Sequence, residues 1–439
     1  MKPLLIQGGH IIDPGQGIND TGNLLITEGK ISWLGRGQVA PPQPAHDILN
    51  ARGLIVCPGF IDLHCHLRQP GYEDKETIAT GTRAAARGGF TTICCMPNTE
   101  PSLDNQASIE YVRTTAAIEG VVRVLPIGCI SKGRNGVELA EMGELASAGV
   151  VAYSDDGQPV KNSHLMRQAL EYSRTFALPV IDHCEDMTLT EGGQMNEGII
   201  STKLGLRGLP AAAEEIMVVR DLALAELTGA RLHIAHVTTE GSVDLIRRAK
   251  EKGIQVTAEV TPHHLTLTEE VVIGYDTSAK VNPPLRTKQD IQALIQGLKE
   301  NVIDIIATDH APHAETDKLC EFAFAAFGIS GLETALGSLM SLVHDGQLDL
   351  TTLVSKLTNE PIRIIGDKYG KLGTLGIGAA ADITLLDPDM EWRVDTEAFA
   401  SKGKNTPLVG SVLKGKVMAA ISEGKLAYKD DSITVKGVR

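Results

Sequence analysis

Between about residues 58 and 365, short uninterrupted apolar runs alternate with longer stretches in which apolar residues return every three or four positions. The runs lie near 60–66, 90–95, 123–129, 150–154, 180–183, 232–236, 255–260 and 303–308, and read as strands covered on both faces. The longer period predicts helices over 76–87, 105–119, 137–148, 165–177, 213–228, 242–252 and 289–300. Eight strands with helices between most of them point to an α/β fold, a (β/α)8 TIM-like barrel. A doubly wound open sheet is the runner-up. No Gly-x-Gly-x-x-Gly opens a helix after a strand, which removes that fold's commonest functional signature.

The pattern differs at both ends of the chain. Up to about residue 57 the chain has no helical period. Asn23-Leu24-Leu25-Ile26-Thr27 and Lys30-Ile31-Ser32-Trp33-Leu34 flank Glu28-Gly29 as a hairpin, and Gly8-Gly9, Asp13-Pro14-Gly15 and Pro41-Pro42 read as turns. After about 366 strand character returns in 381–386, stopped by Asp387-Pro388, and in a second hairpin around Ser422-Glu423-Gly424. So few strands cannot close a core alone. The two ends, 1–57 and 366–439, are therefore expected to pair into one small β-sandwich, with the barrel, 58–365, inserted between them.

Composition narrows the function classes. At 439 residues, 42% hydrophobic and 22% charged, the chain has the make-up of a globular protein, and no apolar run approaches the roughly 20 residues of a membrane span. The formal charge of −14 argues against nucleic acid or an anionic membrane as partner. An anionic small-molecule substrate stays compatible, because an arginine and a metal ion reverse the sign locally. The seven cysteines form no Cys-x-x-Cys, and the first residues break into glycine too early for a signal peptide, so a cytoplasmic setting with reduced thiols is expected.

The candidate chemistry sits where barrel strands end. In Pro58-Gly59-Phe60-Ile61-Asp62-Leu63-His64-Cys65-His66-Leu67-Arg68, strand alternation turns His64 and His66 to one side and Cys65 to the other. Asn98 follows the second run, Asp155-Asp156 the fourth, His183 the fifth, His236 the sixth and Asp309 the eighth. Barrel enzymes keep their catalytic groups at that end. Imidazole nitrogens and carboxylate oxygens in this number suit Zn²⁺, at one position or two, with room for water and substrate. Such an ion brings the pKa of water to roughly 7, and a neighbouring carboxylate, for which Asp309 is the candidate, can carry the proton to a leaving nitrogen.

The first motif resembles that of the amidohydrolase superfamily. His64-Cys65-His66-Leu67-Arg68, Met96-Pro97-Asn98-Thr99, Asp182-His183-Cys184-Glu185, His233-Ile234-Ala235-His236, Val281-Asn282-Pro283-Pro284-Leu285-Arg286 and Thr308-Asp309-His310-Ala311-Pro312-His313 resemble, in the same order, the dihydroorotase family. The resemblance runs from about residue 1 to 428. It implies a metal-dependent cyclic amide hydrolase that interconverts N-carbamoyl-L-aspartate and L-dihydroorotate. His64 and His66 would bind the more buried metal, His183 and His236 a second, and Asp309 would be ligand and proton shuttle. Many relatives bridge the metals with a carboxylated lysine after strand four. Here Tyr153-Ser154-Asp155-Asp156-Gly157 has none, which resembles the bacterial class that uses an aspartate. Asp156 is favoured, with Asp155 as its support or a turn former. Arg68, Asn98 and His313 would hold the substrate carboxylate and Asn282 would contact the ring.

Two other readings stay open: a hydantoinase- or allantoinase-type amidase, and an inactive scaffold subunit of a transcarbamoylase complex. A homo-oligomer is expected, and association with aspartate transcarbamoylase is compatible with an active enzyme. His263-His264 are given a structural or supporting role, and His10, His46, His164, His233 and His344 none. The segment 314–328, directly after the Asp309 motif, is long enough to cover the site as a lid, or to form a short helix at its rim.

Overall fold

The fold was described from a computed structural model covering residues 2–37 and 47–436. Pro41-Pro42 and His46 lie outside the described residues. The barrel strands are β1 (Phe60–Cys65), β2 (Phe90–Cys95), β3 (Arg123–Pro126), β4 (Tyr153–Ser154), β5 (Val180–Asp182), β6 (Leu232–Ile234), β7 (Val256–Val260) and β8 (Ile305–Ile306). All neighbours pair in parallel: β1 to β3 form one run and β4 to β8 another. Single parallel bridges, Gly128 to Tyr153 and Cys65 to His310, join the two runs and close the barrel.

Each strand is followed by an outer helix: Ile78–Arg87, Gln106–Glu119, Met142–Ala148, Ser163–Ser173, Ala211–Thr228, Glu240–Glu251, Lys288–Lys299 and Ala335–His344. The first shows why such a segment starts where it does. Thr77 and Thr80 cap it reciprocally, and Ile78, Ala84 and Ala85 bury its inner face. The expected helix over 137–148 begins only at Met142, because Leu139 is bridged to Ser131 in an extended loop. An inner apolar layer that includes Ile61, Leu63, Cys94, Ile127, Ile181 and Ala307 fills the barrel, and Ile364, Ile365 and Leu372 pack against it.

Strands from both chain ends lie in one nine-stranded network, ordered 425–429, 412–422, 383–393, 55–58, 4–13, 18–27, 30–36, with 47–50 and 435–436 branching off. The branch is at Leu4–Asp13, whose first residues pair with 47–50 and whose later ones pair with Ile55 and Val56. Gly8-Gly9 is not a turn. It is a bulge inside this strand, with Gly8 at φ 76° and the register shifting between Gln7 and Gly9. Among the described residues no helix is long and apolar enough to cross a membrane.

Candidate active site

Past the C-terminal ends of the strands, six side chains from five of them converge. β1 delivers His64 and His66, the turn after β4 delivers Asp156, and His183, His236 and Asp309 follow β5, β6 and β8. All six are buried. Asp156 stands in the middle. Its Oδ2 is 3.3 Å from His64 Nε2 and 3.5 Å from His66 Nε2, while its Oδ1 is 3.6 Å from His183 Nδ1 and 3.4 Å from His236 Nε2. Asp309 Oδ1 lies 3.0 Å from His66 Nε2 and 3.5 Å from His64 Nε2. One carboxylate thus presents one oxygen to each histidine pair. Arg68, His236 and Asp309 all have left-handed backbone, at φ 61°, 30° and 44°, a conformation that non-glycine residues keep only where their surroundings determine it.

The ring nitrogens not aimed at this centre are mostly held from behind. His64 Nδ1 donates to Glu259 at 2.6 Å, and His233 reaches the other Glu259 oxygen at 3.1 Å. His66 Nδ1 donates to Asn98 Oδ1 at 2.8 Å, and His183 Nε2 donates to Glu185 at 3.0 Å. Such partners fix which nitrogen is offered to an ion. The sequence reading gave Glu259, Glu185 and His233 no role. Glu259 was detectable, being the single acid inside an otherwise uncharged strand run, and Glu185 lies two residues after His183 in a quoted motif.

These residues fit a divalent cation. His64 Nε2 and Asp156 Oδ1 are buried without a hydrogen-bond partner among the described residues, which is costly for polar atoms unless something else occupies them. Ligand atoms of His64, Asp156 and His236, and of His64, His66 and Asp309, lie within 4.8 Å of one another in two overlapping groups. The electrostatics agree. Burial opposes charging of His64, yet Asp156, Glu259 and Asp309 outweigh it and hold its pKa well above the usual histidine range. Burial likewise opposes ionisation of Asp156, but the facing histidines keep it well below the ordinary carboxylate range. The centre calls for positive charge. A third cluster, Asp182, Cys184 and Asp221, does not: Arg220 satisfies it at 3.1 and 2.6 Å.

Above the carboxylates opens a cavity of about 600 Å³, lined by His66, Arg68, Asn98, Asp156, His183, His236, Asn282, Asp309 and His313 among others. Arg68 spends its Nε on the Pro312 carbonyl, 3.2 Å away, and burial draws its pKa down only to about 10, so it is cationic at neutral pH. Asn282 donates to Glu185 at 2.9 Å. His313 Nδ1 lies 3.3 Å from an Asp317 oxygen and its Nε2 lies 2.8 Å from the Phe327 carbonyl; burial lowers its pKa to about 3, so the ring is neutral and donates to only one of these acceptors at a time. The segment 314–328 opens with a short helix, Glu315–Lys318, and brings Phe327 and Gly328 to the cavity wall. Asp155 faces away from the histidines, its carboxylate taken by the loop after β3. His264 bonds Thr261 and the Pro283 carbonyl.

Among solved structures the chain resembles an L-hydantoinase from Arthrobacter aurescens, with TM-score 0.87, 23% identity and coverage of 99% of this chain and 98% of that one. A dihydropyrimidinase from Brevibacillus agri superposes with TM-score 0.83 at 23% identity, over 99% and 97%. Together with the barrel and β-rich sheet described above, this defines an amidohydrolase-type fold. Sequence relatives narrow it further. A family model described as Dihydro-orotase-like matches residues 53–242. A dihydroorotase of Pelotomaculum thermopropionicum is 52% identical over 428 residues, 97% of this chain and 99% of the relative, and one of a Thermoanaerobacter species is 51% identical over 435 residues, 99% of each. The chain belongs to the dihydroorotase family, which is metal-dependent.

Proposed function

We propose that this chain catalyses the reversible interconversion of N-carbamoyl-L-aspartate and L-dihydroorotate, the ring-forming step of de novo pyrimidine synthesis. The observation that carries the reading is Asp156, one oxygen toward each histidine pair, beneath a cavity whose wall holds Arg68. His64, His66, Asp156, His183, His236 and Asp309 would hold Zn²⁺, as one ion or two. Bound there, such an ion would supply Lewis acidity, lowering the pKa of water toward neutral and polarising an amide carbonyl. We take 58–365 as the catalytic unit, with 1–57 and 366–439 as its composite companion.

The side chains do the rest. Arg68 offers a guanidinium to the substrate carboxylate, a pairing that suits its planar fork. Asn98 turns its oxygen to His66 and leaves its amide N–H groups for the same carboxylate. Asn282 lies at the cavity wall for the ring, and His313 reaches the carboxylate by exchanging one of its present contacts. In ring opening the water oxygen joins the ring amide carbon, the carbon–nitrogen bond breaks, and Asp309 carries the water proton to the departing nitrogen. Ring closure runs the same path backwards. The surrounding histidines keep the Asp309 pKa low against the effect of burial, so the carboxylate is ionised, and its place at the centre of the site puts it within reach of the proton to be moved.

An inactive scaffold would be expected to have lost ligands, whereas here the candidate ligands converge. Parallel ring-opening assays on dihydroorotate, dihydrouracil, hydantoin and allantoin test the assignment. Turnover is expected on dihydroorotate far above the rest, and preference for any of the others would contradict it.

A further inference from the structure

β4 is only two residues long, and its ladder to β5 ends at Ser154, one residue before the Asp155-Asp156 pair. Sheet hydrogen bonds therefore do not fix the backbone that carries Asp156. Ser154 Oγ accepts from the Asp156 N–H at 3.0 Å, and the loop after β3 supplies further contacts. The Asp155 carboxylate accepts from the N–H groups of Ile130 at 2.9 Å and Ser131 at 3.1 Å, and from the Ser131 hydroxyl. Arg134 then reaches across, donating through Nη2 to the Asp156 carbonyl at 2.8 Å and through Nε to the Asp155 carbonyl at 3.3 Å.

Two further features concern the same contact. Arg134 has left-handed backbone, φ 57°, directly after Gly133 at φ 58°, a conformation that an arginine keeps only where its surroundings determine it. Gly157, at φ 80°, follows Asp156 directly. A Cβ there would lie 3.3 Å from Arg134 Nη2 and 3.4 Å from Asn98 Nδ2, so a side chain at 157 would press on the guanidinium, which would have to give by a few tenths of an ångström.

We propose that Arg134 is a positioning residue for the Asp156 carboxylate. Its guanidinium fixes the carbonyls of 155 and 156, and so aims the two Asp156 oxygens at the two histidine pairs. The proposal rests on the reading of Asp156 as a shared cation ligand. It requires no contact between Arg134 and substrate.

The test is zinc affinity of the purified full-length protein, measured by chelator competition without substrate, beside steady-state kinetics. Arg134→Met keeps the stem and removes both hydrogen bonds. It should weaken zinc binding by roughly ten- to a hundredfold, the usual range for a partner that orients a ligand, and lower kcat while KM for dihydroorotate holds. Arg134→Lys, with a single point donor, should fall between Met and wild type, and Gly157→Ala should shift zinc affinity in the same direction. Wild-type zinc affinity in Arg134→Met overturns the proposal, as does a rise in KM alone, which would make Arg134 a substrate contact. If Arg134→Met does not fold, Arg134→Lys decides: weakened zinc binding supports the proposal and wild-type binding overturns it. Asp156→Asn separates the two readings. If it keeps full zinc affinity, the ligand assignment fails. If it loses zinc while Arg134→Met keeps it, only the positioning role fails.

Discussion

The two sides of the cavity are built differently. On the proposed cation side, imidazoles and carboxylates stand at strand ends, and His64, His66 and His183 are each fixed from behind by a polar partner, Glu259, Asn98 and Glu185. On the proposed substrate side, Arg68, Asn282 and His313 stand on loops. The wall formed by 314–328 is tied to the segment before Asn282 by two buried lysines whose ammonium groups donate to backbone carbonyls. Lys280 Nζ donates to Phe322 at 2.7 Å and Ala323 at 3.1 Å, and Lys318 Nζ donates to Ala326 at 2.6 Å and Thr277 at 3.0 Å. The cation side is thus over-determined by buried charge, while the substrate side can be reshaped without dismantling it. Chemistry should be lost on one side and selectivity on the other.

The largest effect should come from the centre itself. Asp309→Asn keeps the shape but cannot accept a proton, and should cut turnover by roughly 10²- to 10⁴-fold in both directions while circular dichroism shows an intact fold. Near-native rates would make Asp309 a bystander. Glu259→Gln probes the cation side from behind. It should cost roughly ten- to a hundredfold in zinc affinity and carry activity on every substrate down together.

Arg68→Met probes the other side. A charge-assisted contact of this kind is worth on the order of 1.5–3 kcal/mol, so kcat/KM for dihydroorotate should fall about tenfold or more. Zinc content and any activity on dihydrouracil, which lacks the carboxylate, should hold. Equal loss on both substrates would show that Arg68 supports the end of β1 rather than reading the substrate. The smallest catalytic effect should come from Lys318→Met. Leaving the Ala326 carbonyl without its lysine donor, while Thr277 and Lys280 keep backbone N–H partners, should lower stability in urea by ~1–3 kcal/mol and raise KM, with zinc unchanged. A loss of zinc in this variant would erase the distinction between the two sides.

How far the sequence could be read follows the same division. Barrel strands were legible because burial on both faces writes them as apolar runs, and the histidines and aspartates stood out by interrupting those runs at one end. Glu259 also interrupts one, but inside β7 rather than at its end, where an acid carries no strand-end signal. The preference for Asp156 over Asp155 had little local support, because the two are adjacent and identical. What separates them in the structure is the Ser131 and Ile130 contacts, more than twenty positions away, which occupy the Asp155 carboxylate. Loop contacts were the least legible. Nothing local to His313 announces that the Phe327 carbonyl holds its ring, and nothing local to Gly8-Gly9 separates a bulge from a turn.

The central claim is that the Asp156 carboxylate serves both histidine pairs. Zinc per subunit, measured on wild type, Asp156→Asn and Asp155→Asn alongside dihydroorotate turnover, tests it most directly. The account predicts that Asp156→Asn loses bound zinc and turnover together, while Asp155→Asn, which only loosens the loop, keeps most of both. Full zinc and turnover in Asp156→Asn, or the larger loss in Asp155→Asn, would contradict it.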